Sequence, residues 1–304
     1  MATMVTTQIS ANPSSLKTFI TQYPIRSYFT IAYLGAWIPL AVPVLAQNGL
    51  GILPFMVSDI VFVLLFILAT LAGPTMGALI VTATTEGRPG LRRFFRRYIQ
   101  VRYGIVWYLV TLFGIPLIAV LSASVYLGIA PFATAVTNWS AIFTTYLPAV
   151  LAMMIIPSLG EEPGWRGFAL PRLQKQYGPL PGSLVLGLLH GVWHLPVFLL
   201  ITGPAAMGPF NPGHFVWNTL MIMTLTVLWT WVFNNARGSI FAAILLHAAF
   251  NGAGALIGQW FPAYPASANS LGDYLIIASA ILVILVTRGR LSYDKLRAQE
   301  DTTV

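Results

Sequence analysis

Three polar clusters stand in stretches that otherwise read as membrane-spanning helices. They are Glu161-Glu162-Pro163-Gly164-Trp165-Arg166, His194 with His190 one helical turn before it, and His247-Ala248-Ala249-Phe250-Asn251. Ionisable side chains are expensive in hydrocarbon and persist there with a partner and a task. Two carboxylates, an arginine, histidines and an asparagine are the parts of a hydrolytic centre: a base for water, a cation to hold a carboxylate ionised, and donors for a developing oxyanion.

Spacing assigns provisional roles. Glu162 and Arg166 are four apart, hence neighbours on one helical face, where the arginine orients the carboxylate. Glu161 points roughly 100° away and is the candidate base. The alternative is a buried ion network that only ties helices together. His190 and His194 could share a face, and that spacing suits two imidazoles on a metal, though a packing hydrogen bond explains His190 as well. His247 and Asn251 also share a face and could orient a water or donate to an oxyanion, or form an interhelical contact. His214, beside Pro209, Pro212 and Gly213, reads as an incidental loop residue, and Asp59 as an interfacial one.

The elements that carry these residues follow from composition. Of 304 residues only 8% are charged and 57% are hydrophobic, with a mean hydropathy of +0.77. Several apolar runs exceed the roughly 18 residues that mark a spanning helix. The fold class is therefore all-α, a polytopic bundle of about eight transmembrane helices. The expected spans are 29–46, 56–82, 104–128, 146–170, 182–201, 215–233, 239–258 and 273–287, the fourth being the least regular because of Pro157 and Pro163. Flanking them are a cytoplasmic segment 1–28 and a cytoplasmic tail 288–304. The absence of cysteine excludes disulfides and thiolate metal sites. The first residues lack the apolar core and cleavage site of a signal peptide, so none is expected to be removed.

The net charge of +8 does not indicate nucleic acid, because the basic residues flank apolar runs. Fifteen of the 16 Lys and Arg fall in segments that lie inside when the N-terminus is cytoplasmic, and Arg166 lies toward the inner end of its span. The positive-inside rule thus fixes an expected orientation with both termini in the cytoplasm, at the plasma membrane. The run 88–103, in which arginine pairs alternate with apolar pairs, reads either as an amphipathic helix drawn to anionic lipid or as a solvated topology determinant.

Depth ties the clusters together. Counting in from the expected cytoplasmic boundaries places Glu161 about 16 Å, His194 about 20 Å and His247 about 12 Å deep, each near the middle of a core about 30 Å thick. An active site inside the bilayer is the expectation.

The residues that carry this pattern resemble the CPBP family of CAAX prenyl proteases and bacteriocin-processing (Abi-type) membrane proteins. The resemblance rests on Glu161-Glu162-x-x-x-Arg166, His194 within Trp193-His194-Leu195-Pro196, and His247-x-x-x-Asn251, supported by Arg166-Gly167-Phe168 and Arg237-Gly238-Ser239-Ile240. It covers about 145–255, the expected protease core within a transmembrane domain 29–287. It implies intramembrane hydrolysis of a peptide bond, with Glu161 activating water assisted by His194, His247 and Asn251 stabilising the oxyanion, and Glu162 and Arg166 organising the site. Zinc on Glu161, His194 and His247 is compatible with the sequence, as is a metal-free glutamate mechanism. The second is preferred because metal-bound histidines could not donate to an oxyanion. Expected partners are membrane lipids and a membrane-proximal or C-terminal peptide or protein substrate, reached from the cytoplasmic side. Rival readings are a non-catalytic immunity or scaffold protein of the same fold and a proton-coupled transporter. The missing internal symmetry disfavours the transporter.

Overall fold

A computed structural model describes residues 15–262 and 269–301. All regular structure among them is helical, as a backbone in lipid requires, since only internal hydrogen bonding satisfies its polar groups there. In chain order the helices are α1 (Ser15–Gln22), α2 (Pro24–Leu45), α3 (Asp59–Tyr98), α4 (Ile105–Leu127), α5 (Ala130–Thr137), α6 (Ile142–Tyr177), α7 (Pro179–Trp193), α8 (Leu195–Phe198), α9 (Pro212–Asn235), α10 (Ile240–Trp260), α11 (Asn269–Thr287) and α12 (Tyr293–Asp301). Six of these (α2, α3, α4, α6, α9 and α10) are long and apolar enough to cross a membrane, and α7 and α11 are shorter apolar helices. Each of the eight expected spans therefore meets a helix, and the chain is a multi-pass helical membrane protein. The first 14 residues of the expected N-terminal segment lie outside the described residues.

Two elements differ from expectation. The fifth span was expected to run to 201, but α7 stops at Trp193. Pro196 cannot donate to the carbonyl four residues back, so the helix ends in a turn at His194 before the short α8. The second span does not stop at 82. Helix α3 continues to Tyr98 across Gly87, whose φ of 61° and ψ of −153° break the axis. Beyond that break Phe94 is buried while Arg88, Arg92, Arg93 and Arg96 are exposed, within the run for which the sequence left an amphipathic helix and a solvated topology determinant open.

Helix α6 is irregular, as its prolines predict. Wide π-type turns occupy 142–146, 154–158 and 163–169, and Ile156 leaves helical geometry altogether. The last of these turns begins at Pro163, inside the acidic motif, where the missing N–H removes one rung of the regular ladder.

Two pairs of glycines four residues apart set the packing. A side chain on Gly160 or Gly164 would run into Thr70 or Pro74 of α3. On α7, Gly187 lies against the backbone of Met223 and Gly191 against that of Thr219, both on α9. In lipid, where apolar surface gains nothing by leaving the solvent, close backbone approach at small residues is a main source of association. Behind the acidic motif, Tyr28, Trp165, Phe168 and Trp193 form a buried aromatic wall. At the other end of α6, Glu86 pairs with both Arg93 and Arg172 and straps the arginine-rich segment to that helix.

Candidate active site

The acidic motif lies on α6 at the centre of the bundle, and both carboxylates are buried, with relative exposures of 1% for Glu161 and 0% for Glu162. Glu162 Oε1 accepts from Arg166 Nη1 at 2.9 Å and from His247 Nδ1 at 2.8 Å. Arg166 is held further by Thr226 Oγ1 on α9 at 3.4 Å and by the face of Trp229, 5.8 Å from its guanidinium carbon. The expected i,i+4 pair is thus present and extends to α9 and α10. With Nδ1 of His247 donating to Glu162, Nε2 is the nitrogen left for the cavity that His247 lines.

Glu161 faces the other way, toward α7. Its Oε2 lies 3.0 Å from His190 Nε2, so carboxylate and imidazole share a proton. Nδ1 of His190 is buried without a hydrogen-bond partner among the described residues. His194, at the turn ending α7, donates from Nδ1 to the carbonyl of His190 at 2.9 Å. A carbonyl only accepts, so this bond fixes the tautomer and leaves a lone pair on Nε2. Ligand atoms of Glu161, His190 and His194 lie within 4.8 Å of one another. The grouping of one carboxylate and two imidazoles, with a lone pair free on His194 Nε2, is compatible with a zinc ion. That grouping has His190 where the sequence-based one has His247, whose Nδ1 is turned to Glu162. The sequence named His190 as a second imidazole but gave no means of choosing its partner.

One cavity of about 410 Å³ joins the two halves, and Glu161, Glu162, Arg166, His190, His194, His247 and Asn251 all line it. Every sequence-predicted site residue is therefore on one wall system. Asn251 is exposed, and its carboxamide makes no hydrogen bond to a described residue. The cavity also reaches Phe198, Met207, His214, Trp217 and Asp273. His214, read from the sequence as incidental, stands at its rim with its ring 5.2 Å from that of Phe198.

The rim residues show which way the cavity faces. Its buried end is closed by Trp229, Arg166 and Glu162, while Met207 and Trp217 are 47% and 37% exposed. Trp217 belongs to the Pro212 end of α9, whereas the basic residues Arg237 and Lys295 lie beside the Asn235 end, with Lys295 donating to Asn235. The mouth is thus remote from the arginine-bearing ends of the helices.

A helical membrane bundle that converges carboxylates, imidazoles and a carboxamide on one buried cavity has the architecture of an intramembrane hydrolase. Residues 142–253 match the model of the Rce1-like family of type II CAAX prenyl endopeptidases. The chain is also 26% identical over 201 residues to CAAX prenyl protease 2 of Methanococcus maripaludis, covering 62% of this chain and 70% of the relative. These two matches support a CPBP family member and an intramembrane protease.

Proposed function

We propose that the protein is an endopeptidase that hydrolyses a membrane-proximal or C-terminal peptide bond inside the cavity. The observation that carries this is the division of labour between the two carboxylates: Glu162 is spent on Arg166 and His247, while Glu161, whose hydrogen-bond partner among the described residues is His190, faces the cavity. Glu161 takes a proton from water as the water oxygen adds to the scissile carbonyl carbon. His194 Nε2 accepts a hydrogen bond from the same water and aims it. The carbonyl oxygen becomes an oxyanion within reach of Nε2–H of His247, in its doubly protonated state, and of the Asn251 amide. When the tetrahedral carbon collapses, the C–N bond breaks and the proton held by Glu161 passes to the departing amine.

A zinc-dependent variant rests on the 4.8 Å grouping of Glu161, His190 and His194. Bound there, zinc would lower the pKa of a water toward neutrality. His247 and Asn251 keep the same oxyanion role in either case.

The charge pattern supports a plasma-membrane protein with both termini cytoplasmic, a transmembrane domain 29–287 and a protease core 145–255. With that orientation the mouth opens on the extracytoplasmic side, and substrate arrives as a peptide or the exposed segment of a membrane protein. The test is cleavage of a peptide library by the purified chain in lipid nanodiscs. Glu161→Gln, which preserves shape, is expected to remove about 10²–10⁴-fold of the rate. A scaffold or immunity protein of this fold would show no cleavage in either form, and a Glu161→Gln protein that cleaves normally overturns the assigned base.

A further inference from the structure

Asp273 on α11 is a carboxylate at the mouth of an otherwise largely apolar cavity. It is half-buried, and its Oδ2 accepts a hydrogen bond from Trp217 Nε1 on α9 at 2.9 Å. No lysine or arginine occurs in the sequence segments 199–211 or 261–272. Among the described residues no cation pairs with Asp273, although Glu86, Glu162 and Asp294 each have an arginine partner. Inside the cavity Arg166 is matched by Glu162, so Glu161 and Asp273 leave the lining acidic.

Helix register locates Asp273 relative to the chemistry. Gly191 sits against Thr219 and Gly187 against Met223, so His190 is level with about residue 220 of α9. Trp217, which holds Asp273, is then only about 4–5 Å further along the axis toward the mouth, at a rise of roughly 1.5 Å per residue. An extended peptide advances about 3.3 Å per residue, so a side chain seated on Asp273 belongs to a residue one or two positions from the bond facing Glu161.

We propose that Asp273, oriented by Trp217, is a specificity subsite that selects a lysine or arginine side chain, within about two residues of the scissile bond. This deepens the peptidase reading and rests on it for the identity of the ligand as a peptide. The indole N–H fixes Oδ2, leaving Oδ1 for an ammonium or guanidinium group. A cation at the partly dehydrated rim meets a charge-assisted partner there that a neutral side chain cannot use.

Two measurements test this with the full-length chain in nanodiscs. In the first, short labelled peptides in which one lysine is walked along the sequence, and their norleucine counterparts, are bound to the Glu161→Gln protein with and without Asp273→Asn. The lysine peptide of the right register is expected to bind about ten-fold tighter than its norleucine twin. That preference should vanish with Asp273→Asn, be kept largely by Asp273→Glu, and weaken with Trp217→Phe. In the second, cleavage by protein carrying Glu161 should show the same preference in kcat/KM, and that preference should be lost with Asp273→Asn. A preference that survives Asp273→Asn, or no preference at any lysine position, overturns the subsite. Cleavage without lysine selectivity sinks this inference and leaves the peptidase standing. Selective binding without cleavage by the unsubstituted chain does the reverse. Thermal melting confirms that each variant is folded, and a variant that does not melt as a folded protein is replaced by Asp273→Glu paired with the reversed, glutamate-bearing peptides, which must then bind worst.

Discussion

Removing either end of the Arg166–Glu162 pair should cost far more than an ordinary surface ion pair. The two side chains are 3% and 0% exposed, 2.9 Å apart, and Glu162 already has one oxygen without a partner among the described residues. Arg166→Met leaves a buried carboxylate whose remaining hydrogen bond comes from His247, and Glu162→Leu leaves a buried guanidinium held by the Thr226 hydroxyl and the face of Trp229. Breaking such a pair from one side typically costs about 3–5 kcal/mol, mostly from the stranded charge. Removing both strands neither, so the double variant should be less destabilised than the sum of the singles by about 1–3 kcal/mol. The assay is reversible unfolding in mixed micelles, with the two single variants and the double variant compared on one scale. Additive losses, or a single variant within about 0.5 kcal/mol of the parent, the usual range of surface substitutions, would refute the claim that this network holds α6 to α9 and α10.

Three further outcomes follow from separate features. Gly164→Ala drives a methyl group into the backbone of Pro74 and should destabilise by about 1–3 kcal/mol, whereas Gly114→Ala, with open space around it, should gain up to about 1 kcal/mol in the same unfolding assay. His247→Ala should lower kcat by about 10²–10³-fold, the effect of removing one oxyanion donor. An effect confined to KM would remove His247 from the transition state. Under the metal-free mechanism, dialysis against a strong chelator leaves cleavage unchanged. Loss that zinc restores would select the variant in which Glu161, His190 and His194 hold a metal.

The sequence makes the bundle legible because lipid imposes one rule on every span. Apolar length and the placement of arginines locate eight helices, and the i,i+4 spacing of Glu162 and Arg166 survives in the structure because a pair on one helix needs no knowledge of its neighbours. Partners across helices depend on rotation, which hydropathy does not encode. That is why Glu161 meets His190 instead of the next turn's His194, and why His247 turns to Glu162. The wide turn over 163–169 contributes, since it shifts the face on which the acidic motif emerges. The Trp193-His194-Leu195-Pro196 segment did contain the signal for an early stop of α7, in Pro196. Asp273 was harder to find: it is a single carboxylate near the start of the last span, and only the approach of α11 to α9 gives it a cavity to face.

The glycine seam and the double grip of Glu86 have a joint consequence for motion. Helix α6 is keyed into α3 at Gly160 and Gly164 and clamped at its far end through Arg172. Glu161, the proposed base, therefore sits on the stator of the machine. A bulky chain that needs extra width must find it across the cavity, where α11 contributes a rim carboxylate but no member of the buried ionic network. Breathing of that wall would widen the channel while the reacting groups stay in register.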